Sequence, residues 1–297
     1  MTARRSRPAT LRLQGEVGGM ALMVCALLLF SMLDVAAKYL TARHDPLQVV
    51  WARFASQCFW AFLLMAPRLP SLMRTDRLGL HILRSMFLFG ASICFFTALS
   101  FMPLAEAIAI FEVAPLMITA LAFLVLREPV GPRRWTGVAI GFCGAMIIIR
   151  PGGEVFTWVS ILPMVAAACY ASYAIATRFV GSSESPWTSF LYTALVGTAA
   201  ASVAAPFVWT TPTPMDAMVM GTFGIVGGAG HFCLILALQR ASASVLAPFT
   251  YVGLVFGTFW GFAAFGELPD SWTVAGAAVI VSAGLYVWWR ERVRRGA

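Results

Sequence analysis

The sequence predicts an all-α integral membrane protein of ten transmembrane helices, arranged as two inverted-topology five-helix repeats. Three observations carry that prediction. Of 297 residues, 60% are apolar and only 11% are charged, and the mean hydropathy is +0.82; a soluble domain carries about 25% charged residues. Apolar segments of membrane-crossing length follow one another almost without interruption. Features of the first half recur in the second at offsets of 137–140 residues.

About 20 apolar residues cross a roughly 30 Å hydrocarbon core. Backbone polar groups in lipid must find partners inside the segment, so each such run is a helix. Ten runs are read: 17–40, 47–66, 82–101, 104–126, 135–149, 156–177, 187–208, 216–238, 242–265 and 272–289. The first follows Arg4, Arg5, Arg7 and Arg12, a basic start like that of a signal peptide. Its apolar run is too long and lacks a small-residue cleavage site, so it reads as an uncleaved helix. The second to fourth follow on short connections, the longest being Pro67–His81. The fifth is short, and the seventh, rich in Ala, Thr and Ser, has the weakest pattern. No stretch remains for a soluble catalytic, nucleotide-binding or DNA-binding domain. The six cysteines (Cys25, Cys58, Cys94, Cys143, Cys169, Cys233) all fall in predicted helices without Cys-x-x-Cys spacing, as small apolar residues do.

Lys and Arg set orientation. With the N-terminus inside, 17 basic residues fall on the inner side, among them Arg68, Arg74, Arg77, Arg84, Arg127, Arg178 and Arg240. Only Lys38, Arg43 and Arg150 fall outside, and Arg53 lies within a helix. Both termini are therefore expected in the cytoplasm, with an even number of spans. The net charge of +8 marks topology and contact with membrane lipid, not a nucleic-acid footprint.

Four matches in the same order define the repeat. Lys38-x7-Pro46 recurs as Arg178-x7-Pro186, Ala98-Leu99 as Ala237-Leu238, Glu128-Pro129 as Glu267-Leu268-Pro269, and Trp135-Thr136 as Trp272-Thr273. Five helices per copy is an odd number, so the second copy enters the membrane from the opposite side. The copies are expected over 17–150 and 155–289. Two similar halves in opposite orientation can exchange conformations, turning an outward cavity into an inward one.

Two five-helix halves, the Pro115 helix ending in Leu126-Arg127-Glu128-Pro129, and the matching Phe265-Gly266-Glu267-Leu268-Pro269 resemble the EamA-type drug/metabolite transporter superfamily over roughly 17–289. Within it the chain looks most like bacterial YddG-type exporters of aromatic and other amino acids. That resemblance implies a bacterial inner-membrane transporter with a central cavity between the halves, lined by helices 1, 3, 4, 6, 8 and 9. Helices 5 and 10 stand outside, and the 3–4 and 8–9 hairpins gate the cavity. It implies no cofactor and a small-molecule substrate.

Ionisable groups inside a membrane usually face the bundle interior. Six stand out: Asp34, Lys38, Arg53, Glu106, Glu112 and His231. Asp34 and Lys38 have the favoured i,i+4 order for an ion pair, and Arg53 could pair with Asp34 or a helix-4 glutamate. Glu112, about 12 Å down helix 4, could instead bind an ammonium group or carry a proton. Glu106 lies near the interface. His231 follows Gly227-Gly228-Ala229-Gly230 and reads as a hydrogen-bonded core histidine or a proton carrier. At the repeat offset Glu112 corresponds to Tyr251 and Asp34 to Ala174. The charges are not duplicated, which suggests one polar and one aromatic pole, suited to an amphipathic solute. Tyr170, Tyr173, Phe111 and Tyr251 are candidate lining residues, with packing core as the alternative.

Gly253, Gly257 and Gly261 form a ridge for close helix approach, as do Gly137 and Gly141. Pro115 and Pro248 interrupt helices 4 and 9. They do not align at the offset, so the two hinges need not match. A secondary transporter exporting amphipathic metabolites is the leading expectation. A facilitative uniporter or an exporter of other metabolites or drugs is the alternative. A membrane-embedded enzyme would need clustered metal ligands or a nucleophile and its base; His44, His81 and His231 lie far apart in the chain.

Overall fold

The computed structural model describes residues 9–127, 131–151, 157–180, 184–241 and 243–296. Among them, nine helices are long and apolar enough to cross a membrane, and Trp135–Ile149 is a shorter apolar helix. The first span is Ala9–Thr41, the second Pro46–Met65 and the third Leu78–Leu99. The fourth has two segments, Leu104–Phe111 and Ala114–Leu126. The fifth is Pro132–Ile149, the sixth Leu162–Val180, the seventh Pro186–Ala204 and the eighth Pro214–Arg240. The ninth runs from Ala243–Leu246 through a 3-10 turn, Ala247–Tyr251, into Val252–Phe265, and the tenth is Ser271–Gly296. The expected edges at 156 and 242, and the Glu128-Pro129 match, lie outside the described residues. The third span begins four residues before its expected start, at Leu78, so Arg84, counted among the inner-side basic residues, lies nearly two turns into the helix and is buried, 2% exposed.

The repeat motifs are helix boundaries. The Asp45 carboxylate caps the second span by accepting from the Leu47 N–H at 2.8 Å, and the Ser185 hydroxyl caps the seventh through the Trp187 N–H. Pro46 and Pro186 follow at the first helical position, where a missing N–H costs nothing. The fourth and ninth spans both end on a left-handed residue, Arg127 (φ 54°) and Gly266 (φ 69°), 139 positions apart.

Contacts between spans obey an exchange of halves. The first packs along the eighth as the sixth packs along the third. The second meets the eighth as the seventh meets the third, and the ninth leans on the first as the fourth leans on the sixth. The fifth and tenth pair with each other. A Cβ on Gly144 would come within 2.8 Å of the Gly276 carbonyl oxygen, so backbones touch there. With an odd number of spans per half, the axis relating them lies in the membrane plane.

The breaks in the fourth and ninth spans correspond, although the prolines beside them do not align. The fourth is interrupted at Glu112-Val113, and the ninth changes from 3-10 to α between Tyr251 and Val252, again at the 139 offset. The prolines are offset because Pro115 opens the segment after its break, whereas Pro248 opens the 3-10 turn before it.

Candidate transport site

The end of the bundle carrying Arg74, Arg77 and Arg240 is here the basic end, and the opposite one the far end. Between the halves lies a cavity of about 270 Å³. The first span gives it Met23 to Asp34, the second Arg53, the third Leu88 to Phe96, the fourth Ile108 to Pro115, the sixth Tyr170, the eighth His231 and Leu234, and the ninth Thr250 and Gly253. The fifth and tenth give nothing.

Glu112 stands at the break of the fourth span. Its own N–H bonds the Ile108 carbonyl at 3.0 Å, but Pro115 has no N–H for the carbonyl of Phe111. Opposite, Gly253 leaves room for the carboxyl group: a Cβ there would lie 3.3 Å from Glu112 Oε1. Gly257 and Gly261 continue that contact, against Ile108 and against Leu104 and Ala105. The ridge therefore seats the first segment of the fourth span. Across the cavity, Arg53 Nη1 donates to Ser92 Oγ at 2.8 Å and lies over the rings of Phe54 and Phe96. Asp34 is within its electrostatic reach. Neither Asp34 nor Glu112 has a hydrogen bond or ion pair among the described residues.

Phe95, Phe111, Tyr170 and Tyr173 form a ladder of rings, with centroids 5.2, 5.6 and 5.9 Å apart. His231 Nδ1 donates to the Gly227 carbonyl at 3.0 Å and its ring meets Phe30 edge-on. That bond fixes the proton of the neutral ring on Nδ1 and leaves Nε2 as an acceptor.

Four expected contacts come out differently. Lys38 does not pair with Asp34. Its long chain runs to the far end, where Glu267 Oε1 lies at 2.7 Å and the Met102 carbonyl accepts at 2.8 Å. Arg53 bonds Ser92 rather than a carboxylate. Tyr173 points past the cavity, its hydroxyl accepting from Arg84 Nη2 at 2.8 Å. Tyr251 packs its hydroxyl into the slot left by Gly284 of the tenth span, so the aromatic pole comes from Phe30, Phe95, Phe96 and Phe111. Glu106 is half-buried in the first turn of the fourth span, where an acid is favoured; Lys38, Arg150 and Asp270 act on it electrostatically.

Sequence reasoning missed the partners of these groups. Glu267 was visible only as a repeat motif. Its carboxylate takes Lys38 and also the Leu104 N–H at 3.1 Å, and so ties both halves together at the far end. His44 and Asp216 meet at 3.1 Å in a buried contact between the halves. No group of three or more potential metal ligands occurs among the described residues.

A ten-span bundle of inverted repeats around a central chamber with unpartnered charges is the architecture of a membrane transporter. The chain belongs to the EamA-like transporter family, whose model matches residues 17–150 and again 157–289. A riboflavin transporter of Rhizobium johnstonii is 31% identical over 292 residues, covering 94% of this chain and 93% of that protein. An S-adenosylmethionine uptake transporter of Rickettsia prowazekii is 26% identical, covering 94% and 95%. The pseudopaline exporter CntI of Pseudomonas aeruginosa is 26% identical, covering 89% and 94%. A solved crystal structure, 21% identical, matches the fold with a TM-score of 0.62 over 91% of this chain and 96% of its own.

Proposed function

We propose that the protein is a secondary transporter that exports small amphipathic metabolites, with aromatic and other amino acids as the leading class. The units 17–150 and 155–289 rock about the in-plane axis to give alternating access. The basic end and both termini face the cytoplasm of a bacterial inner membrane.

One observation carries this reading. Glu112 and Asp34 on one hand, and Arg53 on the other, face a chamber lined otherwise mainly by aliphatic and aromatic side chains; Asp34 has the charge of Arg53 within reach, and Glu112 has no hydrogen bond or ion pair among the described residues. Buried charge without a partner is costly, and a solute bearing an ammonium and a carboxylate group relieves it. The rings of Phe30, Phe95, Phe96 and Phe111 suit its apolar body. Two acids against one base also favour a solute with an extra positive charge. The S-adenosylmethionine relative supports that second reading.

The test is counterflow in proteoliposomes with a panel of amino acids and cationic amphipaths, repeated with Glu112→Gln. Saturable uptake of large amino acids that the variant loses supports the first reading. Uptake confined to sulfonium or polycationic solutes supports the second. No uptake of either class overturns both. Labelling of terminal cysteines by an impermeant reagent checks the orientation.

A further inference from the structure

Arg84 is the most unusual side chain that the chamber does not account for. It lies in the third span, one turn toward the basic end from Leu88, which lines the cavity. It is 2% exposed. Of its five N–H donors, one bonds Tyr173, while Nε and Nη1 have no hydrogen-bond partner among the described residues. Arg84 makes no ion pair among the described residues, and Glu184, one turn away near His81, is engaged: it accepts from Thr75 at 2.7 Å and approaches His81 at 3.8 Å.

The surroundings connect this guanidinium to the cavity. Tyr173, which it holds, has its ring centroid 5.9 Å from that of Tyr170 in the cavity wall. Arg53 is anchored at Ser92, so Arg84 lies about 12 Å nearer the basic end along the third span.

We propose that Arg84 is a second carboxylate-binding station, which takes the acidic group of the solute as it passes between the basic end and Arg53. The proposal rests on the transporter reading above, and it adds a site and a ligand group to it. A carboxylate supplies two acceptors for two idle donors, the geometry guanidinium recognises best.

The test uses the purified full chain and two small probes, phenylacetate (carboxylate only) and phenethylamine (ammonium only), read by thermal unfolding. An Arg53→Gln variant is expected to keep a saturable stabilisation by phenylacetate. Adding Arg84→Gln removes it, a loss of roughly tenfold or more in affinity, the size of a charge-assisted bond, while phenethylamine stabilises both variants alike. Adding Arg84→Lys, which keeps the charge if the Gln variant fails to fold, weakens phenylacetate several-fold. Unchanged phenylacetate binding in both Arg84 variants overturns the proposal, as does equal loss of both probes. Amino-acid counterflow by the wild type decides the parent reading separately. Its absence alongside Arg84-dependent phenylacetate binding rejects amino-acid export and keeps the station.

Discussion

At the scale of single residues the site is built by what is left out. Gly253 lacks the Cβ that would crowd Glu112, and Gly284 lacks the one that would displace Tyr251. Glu112→Gln keeps the shape and removes the charge. It is expected to cut transport of an ammonium-bearing solute by about 10-fold or more, since a charge-assisted bond is worth roughly 1.5–3 kcal/mol. Counterflow rates at fixed expression check this. Gly253→Ala leaves the charge and moves it by a few tenths of an ångström, because 3.3 Å is short for a carbon and an oxygen in contact. It is expected to raise KM while protein yield stays constant. The presence of Glu112, Asp34, Arg53 and His231 was legible from charge in an apolar helix. The partners of Arg53, Lys38 and Arg84 were not, because Ser92, Glu267 and Tyr173 lie in distant parts of the chain and no spacing in one chain reveals which spans touch. Arg84 was hidden for a simpler reason. A basic residue near a predicted helix edge reads as a topology anchor, and only the packing of spans shows that it is buried.

At the scale of elements, caps and breaks carry the repeat better than side chains do. The αL caps of the fourth and ninth spans coincide, yet one is Arg127 and the other Gly266. A non-glycine residue there costs about 1–2 kcal/mol, partly offset by the entropy of glycine. Arg127→Gly is therefore expected to hold or raise the melting temperature, and Gly266→Ala to lower it. Asp270 caps the tenth span by accepting from the Thr273 N–H at 2.7 Å, and it also takes Arg150. Burial pushes its carboxyl up, but the bonds from Thr273 and Arg150 outweigh that and hold it below the usual 3.8. A depressed folded pKa means this stabilisation is present above the unfolded value and disappears as pH falls through the folded one. Asp270→Ala is expected to cost about 1 kcal/mol at neutral pH, and the difference from wild type is expected to vanish in strong acid. Unfolding curves across pH measure both. The number of spans and their rough edges were legible because hydropathy is a property of each segment alone. The matched breaks were not, because the visible prolines sit on opposite sides of them.

At the scale of the whole molecule, an inverted repeat makes two closed ends that cannot both be strong throughout the cycle. At the far end three polar contacts join the halves: His44 with Asp216, Arg150 with Asp270, and a knot in which Glu267 of the second half accepts from Lys38 and the Leu104 N–H of the first while Lys38 also reaches the Met102 carbonyl. Any motion that opens the chamber there must break the knot. Lys38→Met or Glu267→Gln removes one partner and leaves the other half-buried, which disfavours the closed arrangement without touching the cavity. In a background without native cysteines, a cysteine at Phe95 on the cavity wall is therefore expected to react faster with an impermeant thiol reagent from the far end in either variant. Exchanging the charges, Lys38→Glu with Glu267→Lys, is expected to recover only part of the protection. The ion pair re-forms, but a lysine at 267 cannot accept from the Leu104 N–H, and a glutamate at 38 cannot donate to the Met102 carbonyl. Full recovery would mean that charge alone closes this end. Equal reactivity in wild type and single variants would mean that the knot is packing, and that the halves open elsewhere.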